Sequence, residues 1–430
     1  MREVYEHILA PVVLIMMLVV GGYLLVRLRA FWLRHPVRAI RMALGERVGK
    51  DLFHAVSMAL AGTLGVGNII GVALGILVGG AGSVFWMVLT AFFAMAVKFA
   101  EVSLTIHTRT PSSDGWRGGA PYYMRTRGIL GGVLPALFSC LCLLCAVLEG
   151  GIIQANAVAE SLSRFGLPPL AVGIALAVFA GILLHKGKEA VGAFTAVCIP
   201  LATFAYLVLC FGTIIRNFGA VPQAVVRIFA SAFEPLAGAG GILGFFSARC
   251  IREGLARGLL SNEAGCGTAP LAHVTAEDTT PTRQGIWGVF EVFLDTVLIC
   301  SLTALTCLTG APEGDTFLGP FAYLSAALSS LWGAFSPYLL AVILFVFAFS
   351  TTLAWSYYGI SALRALTQKP LWHRLYLVIL LLSLPVGACL SVSLAYLATD
   401  ILLALMCIIH LPFLFWHAPT ICKQLFTQKE

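Results

Sequence analysis

Two apolar stretches of the chain are interrupted by residues that favour a break in a helix. The first interruption is Gly65-Val66-Gly67-Asn68, and the second runs from Ser261 to Gly267 with the sequence SNEAGCG. A helix broken within a membrane leaves backbone N–H and C=O groups that are costly unless a ligand binds them. The amino end of a half-helix suits a carboxylate, and the freed carbonyls suit Na⁺. Each interruption is therefore a candidate ligand site.

An alternative interpretation of the first interruption is a packing surface. Gly67, Gly71, Gly75 and Gly79 recur every fourth residue, which is the spacing of small residues where membrane helices touch. The second interruption lies at a comparable place in its own stretch, and this favours the binding site. Asn68 adds an amide that can both donate and accept hydrogen bonds.

The segment before the second interruption carries charge among apolar neighbours. Ionisable groups at membrane depth usually face an aqueous cavity or one another. Arg249, Glu253 and Arg257 are spaced by four residues, so they can pair along one helix face, and we favour this structural interpretation for them. Asn262 and Glu263 lie beside the glycines and are better candidates for a ligand site.

Hydroxyl and amide groups lie in two further apolar stretches. Ser350 and Thr351 come about one helical turn before Trp355. Hydroxyl oxygens are hard ligands that suit a small alkali cation, and the indole could wall a pocket. Such hydroxyls often bond to their own helix backbone instead, and that alternative stays open. Gln154 and Asn156 have a similar ambiguity.

The composition places these groups in a membrane. The chain has 430 residues, of which 59% are hydrophobic and 11% are charged, and its mean hydropathy is +0.94. Apolar runs of about 20 residues predict a bundle of membrane helices. The twelve cysteines lie mostly inside apolar runs and are expected to pack as small residues. The first apolar run is too long for a signal peptide, so we expect a permanent helix.

Hydropathy, glycine, proline and charge divide the chain into eleven predicted spans. They lie at roughly 8–27, 54–79, 82–107, 130–160, 167–184, 193–213, 241–271, 284–309, 336–360, 375–396 and 399–417. Residues 214–235 and 317–332 are expected to form loops with short amphipathic helices that do not span.

Basic residues are unevenly divided between the two sides of these spans. Most arginines and lysines fall in one set of connections, while the other set holds only Arg2, Arg164, Arg216 and Arg227. The positive-inside rule then places the amino terminus outside and the carboxyl terminus in the cytoplasm. The net charge of +7 is explained by this bias, so no nucleic-acid partner is expected.

The two interrupted spans are five spans apart and therefore run in opposite directions. This arrangement predicts an extra first helix followed by two inverted five-helix repeats whose first helices are broken. The predicted parts are the extra helix at 1–28, a basic cytoplasmic linker at 29–53, the repeats at 54–213 and 241–417, an external loop at 214–240, and a cytoplasmic tail at 418–430.

The remaining motifs do not indicate an enzyme. The sequence has no HExxH, no G-x-S-x-G and no Walker loop, and its histidines do not cluster with metal-ligand spacing. Lys98 and Glu101, three residues apart, are expected to form a structural pair. Without an ATP-binding segment, any transport would be driven by an ion gradient.

Together these motifs resemble the alanine or glycine:cation symporter family, also called the sodium:alanine symporters of bacteria. The resemblance covers most of the chain and rests on several segments. They are GTLGVGNIIGVA at 62–73, FWM at 85–87, KFAE at 98–101, GGAPYYM at 118–124, QAN at 154–156, ARGLLSNEAGCGTAPLAH at 256–273, RQG with FLDT within 283–296, and AFSTTLAWSYYG at 348–359.

The resemblance implies import of a small neutral amino acid, alanine or glycine in either enantiomer, coupled to Na⁺ or H⁺, with no further cofactor. By motif, the substrate site maps to Val66, Gly67, Asn68, Gln154, Gly265, Cys266, Gly267, Thr351 and Trp355. The cation would lie between backbone carbonyls near Ala61 and Leu64 and the hydroxyls of Ser350 and Thr351.

Three positions depart from the family pattern. Family members commonly carry Thr at Val66, a polar residue at Gly151 and a larger residue at Cys266, so substrate preference or affinity can differ here. An alternative function is a cation-independent facilitator or channel that uses the same breaks to line a pore. A membrane-embedded enzyme or assembly factor is supported only by scattered polar residues. No pattern in the sequence specifies an oligomeric state.

Overall fold

The computed structural model describes residues 2–45, 49–112, 115–125, 130–233, 249–312, 319–391 and 393–427. Within these residues the chain is almost entirely helical, as the sequence predicts. The described strands form one small antiparallel pair, β1 Thr110–Ser112 and β2 Gly115–Arg117.

The helices before the second interruption are numbered here in chain order. They are α1 Arg2–Arg27, α2 Phe31–Arg34, α3 Pro36–Leu44, α4 Lys50–Thr63, α5 Ile70–Gly79, α6 Gly82–Thr108, α7 Ala120–Tyr123, α8 Gly131–Ser163, α9 Pro169–His185, α10 Lys188–Arg216 and α11 Val221–Phe233.

The helices from the second interruption onwards continue this numbering. They are α12 Arg249–Asn262, α13 Pro270–His273, α14 Pro281–Gly310, α15 Pro320–Trp332, α16 Ser336–Leu366, α17 Pro370–Cys389 and α18 Ser393–Thr427. The predicted non-spanning helices in 214–235 and 317–332 correspond to α11 and α15.

Eight helices in the described ranges are long and apolar enough to cross a membrane, and the broken pair α4–α5 would be a ninth. The predicted span 167–184 coincides with the shorter apolar helix α9. The predicted span 241–271 lies partly outside the described residues, since the description resumes at Arg249. The count of eleven spans and their grouping into inverted repeats therefore stay predictions.

One predicted boundary is wrong. The sequence placed a span at 375–396 and the next at 399–417, but α17 ends at Cys389 and α18 begins at Ser393. No glycine or proline lies between Leu390 and Thr399 to mark the turn, so hydropathy alone could not locate it. Helix α18 also runs on to Thr427, through most of the predicted tail.

The helices pack so that both interruptions lie inside the bundle. Helix α6 contacts α14 and α12 along much of its length, while α4 packs against α10 and α16. The extra helix α1 lies outside this arrangement, against α6 and α18. Apolar side chains on the outer faces remain exposed, as expected for surfaces that meet lipid; examples are Leu170, Val178, Phe204 and Val342.

Candidate functional site

The first interruption is a true break in a helix. Helix α4 ends at Thr63, a single 3₁₀ turn covers Val66–Asn68, and α5 begins at Ile70. The two halves are bent by 53°. The Asn68 side chain stabilises the break, because its Oδ1 accepts a hydrogen bond of 3.1 Å from the Gly65 N–H.

Gly65 is required at this break by the close approach of two other helices. A Cβ atom on Gly65 would lie 2.8 Å from Thr351 Oγ1 and 3.4 Å from the Gln154 amide atoms. The Val66 N–H also points to Gln154 Oε1, at a long distance of 3.4 Å. The structure thus brings the predicted residues Gln154 of α8 and Thr351 of α16 together at the first break.

Three oxygens at this point form the core of the predicted cation site. Thr351 Oγ1 donates to the Ala61 carbonyl at 2.8 Å and lies 3.5 Å from the Leu64 carbonyl. All three residues are buried. Uncharged oxygens of this kind are hard ligands. Ser350, the fourth predicted ligand, is also buried, but its hydroxyl has no hydrogen-bond partner among the described residues.

Gly67 faces the second broken helix without a steric need for glycine. A Cβ atom here would lie 3.6 Å from both the Cγ and the carbonyl oxygen of Leu260, which is ordinary contact. Packing within the protein therefore tolerates a small side chain at Gly67. Any requirement for glycine at this position would come from a ligand that approaches the backbone.

Trp355 lies on the same helix as Thr351 and is fully buried. Its ring centroid is 5.4 Å from that of Tyr358, and its Cβ presses against Gly150 so closely that no side chain fits there. Gly150 belongs to a π-helical segment, Ala146–Ile153, directly before Gln154. Such segments are frequent at functional sites. The indole Nε1 has no described partner, so it is free to meet a ligand.

The second interruption is also a break, and α12 ends there at Asn262. Positive φ angles at Glu263, Gly265 and Gly267 interrupt helical geometry between Asn262 and α13. His410 Nδ1 of α18 lies 2.8 Å from the Gly265 carbonyl, and Cys266 Sγ lies 3.5 Å from Cys407 Sγ of the same helix.

The recorded contacts of the three predicted pocket residues at 265–267 are with elements other than the first break. The recorded neighbours of Gly265 and Cys266 include α18, and Gly267 packs against Ala120 and Phe138. The carboxyl end of α12 makes the connection instead, because the Asn68 Nδ2 donates to Ser261 Oγ at 2.9 Å. A pocket role for the segment 265–267 remains a prediction.

Two of the charges predicted to pair near the second break, Glu253 and Arg257, do so, and Lys98 pairs with Glu101 as predicted. Arg257 lies 3.8 Å from Glu253 and also binds Asp400 of α18 at 2.8 Å. Lys98 lies 3.8 Å from Glu101 and 3.4 Å from Glu291. The partners on other helices, Asp400 and Glu291, could not be found from local spacing.

Two buried carboxylates at the site were missed by sequence reasoning. Glu149 Oε1 accepts a 3.1 Å hydrogen bond from Gln154 Nε2 and so orients that amide. Asp295 of α14 accepts hydrogen bonds from Asn68 and, at 2.6 Å, from Ser261. The available signal was the acidic residue itself, since carboxylates in membrane spans are rare and usually functional.

The departure at Gly151 has a structural explanation. A Cβ atom on Gly151 would collide with the hydroxyl of Ser383 on α17. Ser383 therefore fills the volume that a larger side chain at position 151 would need. Its hydroxyl donates to the Leu380 carbonyl at 2.6 Å, so its hydrogen is already used within its own helix.

A cavity of about 570 Å³ lies against α4 and α16 and reaches the predicted cytoplasmic side. It is lined by α4, α10, α16 and α17, through residues that include Met58, Lys188, Leu353 and Tyr357. A second space of about 190 Å³ shares Met58, Lys188 and Tyr357 and adds the charged residues Asp51 and Glu277.

The apolar bundle, the broken helix and the buried polar site define an integral membrane transporter. The chain belongs to the sodium:alanine symporter family, whose model matches residues 1–429.

Several known proteins are similar to this chain. The sodium/alanine symporter AgcS of Methanococcus maripaludis is 34% identical over 372 residues, which cover 83% of this chain and 81% of that protein. The uncharacterized transporter YflA of Bacillus subtilis is 34% identical over 84% of this chain and 78% of its own length. The "Probable sodium/glutamine symporter GlnT" of Bacillus subtilis is 29% identical over 96% and 88%.

A solved structure shares the fold. The manganese transporter of Eremococcus coleocola, determined with an aromatic bis-isothiourea compound, aligns with a TM-score of 0.56 over 84% of this chain and 76% of its own. At 16% identity the likeness concerns the fold alone. The described part of this chain has no group of three His, Cys, Asp or Glu side chains that could hold a metal ion.

Proposed function

We propose that this protein is a secondary symporter that imports a small neutral amino acid, alanine or glycine, together with Na⁺. The observation that carries the proposal is the meeting of Thr351 with the Ala61 and Leu64 carbonyls at a helix break that also contacts Gln154. Family membership supports the same function. H⁺ in place of Na⁺ is the variant to be tested.

The substrate carboxylate would bind at the first break. N–H groups of Val66, Gly67 and Asn68 lie at the start of a half-helix, where the helix dipole favours a negative charge. Gln154 would move from its long 3.4 Å contact with the Val66 N–H when the carboxylate takes that donor. The buried Trp355 would then limit the size of the side chain.

Coupling would follow from the shared break. The Thr351 hydroxyl would rotate its hydrogen away, so that the cation lies between its oxygen and the carbonyls of Ala61 and Leu64 and fixes the carboxyl end of α4. The same few residues present the donors for the substrate. Because each ligand orders the backbone that the other needs, each should raise the affinity for the other by the same factor.

Alternating access would use the two inverted repeats at 54–213 and 241–417, with the amino terminus outside the bacterial inner membrane. The cavity beside α4 and α16 supports a release path on the cytoplasmic side. On the other half of the bundle, the ion pair between Arg257 and Asp400 would keep the path closed.

The test is uptake of labelled alanine, glycine and glutamine by the purified protein in proteoliposomes. Separate gradients of Na⁺ and of pH are imposed, each with a matched vesicle that lacks the gradient. Concentrative uptake of alanine or glycine driven by Na⁺ alone is expected. Uptake driven only by pH would assign H⁺, and counterflow that ignores both ions would replace the symporter with a facilitator.

A further inference from the structure

We propose a second Na⁺ site centred on the Asp295 carboxylate, separate from the oxygens of Ala61, Leu64 and Thr351. This inference deepens the proposed cation-coupled function and rests on it. The site joins the two breaks, because its ligands come from α12 and α14 and its supporting amides from both broken segments.

Asp295 is a buried charge that lacks a basic partner. Its side chain is fully buried, and no ion pair joins it to a lysine, arginine or histidine in the described residues. An ionised carboxylate in such a place costs several kcal/mol unless a positive charge compensates it. The recorded hydrogen bonds to its side chain come from neutral groups, which offset only part of this cost; the donors are Asn68, Ser261 and Thr296.

The oxygens around Asp295 have the chemistry of an alkali-ion site. Ser261 Oγ and Thr296 Oγ1 each lie 2.6 Å from Asp295 Oδ2. One carboxylate with two hydroxyls supplies a single negative charge and hard ligands. This single negative charge matches one monovalent cation, whereas it would balance only half of the charge of a divalent ion.

The hydroxyls can turn toward a cation without losing their other bonds. Ser261 Oγ accepts from Asn68 Nδ2 at 2.9 Å, and Thr296 Oγ1 accepts from Asn262 Nδ2 at 3.0 Å. Each hydroxyl oxygen keeps one further lone pair for the cation. The Ser261 hydrogen has an alternative acceptor in Cys300 Sγ at 3.2 Å.

The backbone around Asp295 also departs from a regular helix. Phe293–Cys300 forms a π-helical segment in the middle of α14. This feature is common at functional sites in helices, and here it contains both Asp295 and Thr296. A similar segment in α8 precedes Gln154, so two of the helices that face the first break depart from regular α-helix near the site.

The position of Asp295 gives this cation a role in closing the site. Asn68 contacts Asp295 and Ser261 through its Nδ2 and holds the Gly65 N–H through its Oδ1. A cation at Asp295 therefore fixes Asn68 and, through it, the shape of the first break. Since the protein supplies the carboxylate, this cation binds without the amino acid.

The test measures binding of radioactive Na⁺ to purified protein in the absence of any amino acid. We expect two Na⁺ per wild-type protein and one in Asp295→Asn, which keeps the shape of the side chain but removes its charge. Thr351→Val should also leave one, and the two changes combined should leave none. Cys307→Ala, a buried change on the same helix, should keep both.

Smaller changes guard against a folding failure of Asp295→Asn. Ser261→Ala and Thr296→Val each remove one neutral ligand and should weaken one of the two Na⁺ by about tenfold. Unchanged Na⁺ binding in Asp295→Asn would overturn the proposal. So would Na⁺ binding that stays at the wild-type level in Asp295→Asn, Ser261→Ala and Thr296→Val alike. Loss of all Na⁺ in Asp295→Asn, with Thr351→Val unaffected, would support this site and contradict the first one.

Discussion

Replacing Ser350 with alanine should lower the affinity for Na⁺ without lowering the thermal stability of the Na⁺-free protein. Its hydroxyl is buried and has no hydrogen-bond partner among the described residues. A buried polar group without a partner costs about 1–3 kcal/mol. Ser350→Ala removes that cost, so the thermal stability of the Na⁺-free protein should stay constant or rise. If the hydroxyl is a cation ligand, affinity for Na⁺ should fall by at least about tenfold.

The assay is the melting temperature of purified protein in choline and in Na⁺ buffers. A ligand at about 100 times its Kd stabilises the folded state by about 2.7 kcal/mol. After a tenfold loss of affinity the same Na⁺ concentration contributes about 1.4 kcal/mol, so the stabilisation by Na⁺ at this site should fall by about half.

The matched control is Ser356→Ala on the same helix. The Ser356 hydroxyl donates to the Leu353 carbonyl at 2.6 Å, which is the ordinary backbone bond of a serine in a membrane helix. Its removal should leave the response to Na⁺ unchanged. An undiminished Na⁺ response in Ser350→Ala would refute the assignment of this hydroxyl as a ligand.

Three further results are expected. Gly67→Val should abolish alanine binding in folded protein, and the added Cβ atom itself would make only ordinary contact with Leu260; native affinity would place the carboxylate elsewhere. Trp355→Ala should weaken alanine binding and admit larger amino acids, as measured by competition; an unchanged size limit would remove its role as a wall. A cysteine label near Glu3 should react from outside, and one near Lys429 only after permeabilisation; the reverse pattern would invert the topology.

The breaks were predictable because their signal is local. Glycine and asparagine inside an apolar stretch are rare enough to mark the first break, and the structure has it between Thr63 and Val66. The placement of Ala61, Leu64 and Thr351 came with the family resemblance. The 2.8 Å contact between Thr351 and the Ala61 carbonyl now gives that placement a geometric basis.

The part of the site that the sequence did not predict depends on contacts between segments that are distant in the chain. Asn68 and Asp295 are 227 residues apart in the sequence, and no spacing rule joins them. The structure also places Gly265 and Cys266 against α18, beyond the end of α12 at Asn262. Local patterns locate a break, but the packing of other helices decides which side chains meet there.

The most direct test of the central claim is the reciprocal flux, in which an inward alanine gradient drives Na⁺. Proteoliposomes hold equal Na⁺ on both sides with a trace of radioactive Na⁺ outside, and the membrane potential is clamped. A symporter must accumulate Na⁺ when alanine enters, and Gly67→Val vesicles should not. Alanine entry without any movement of Na⁺ would contradict the account.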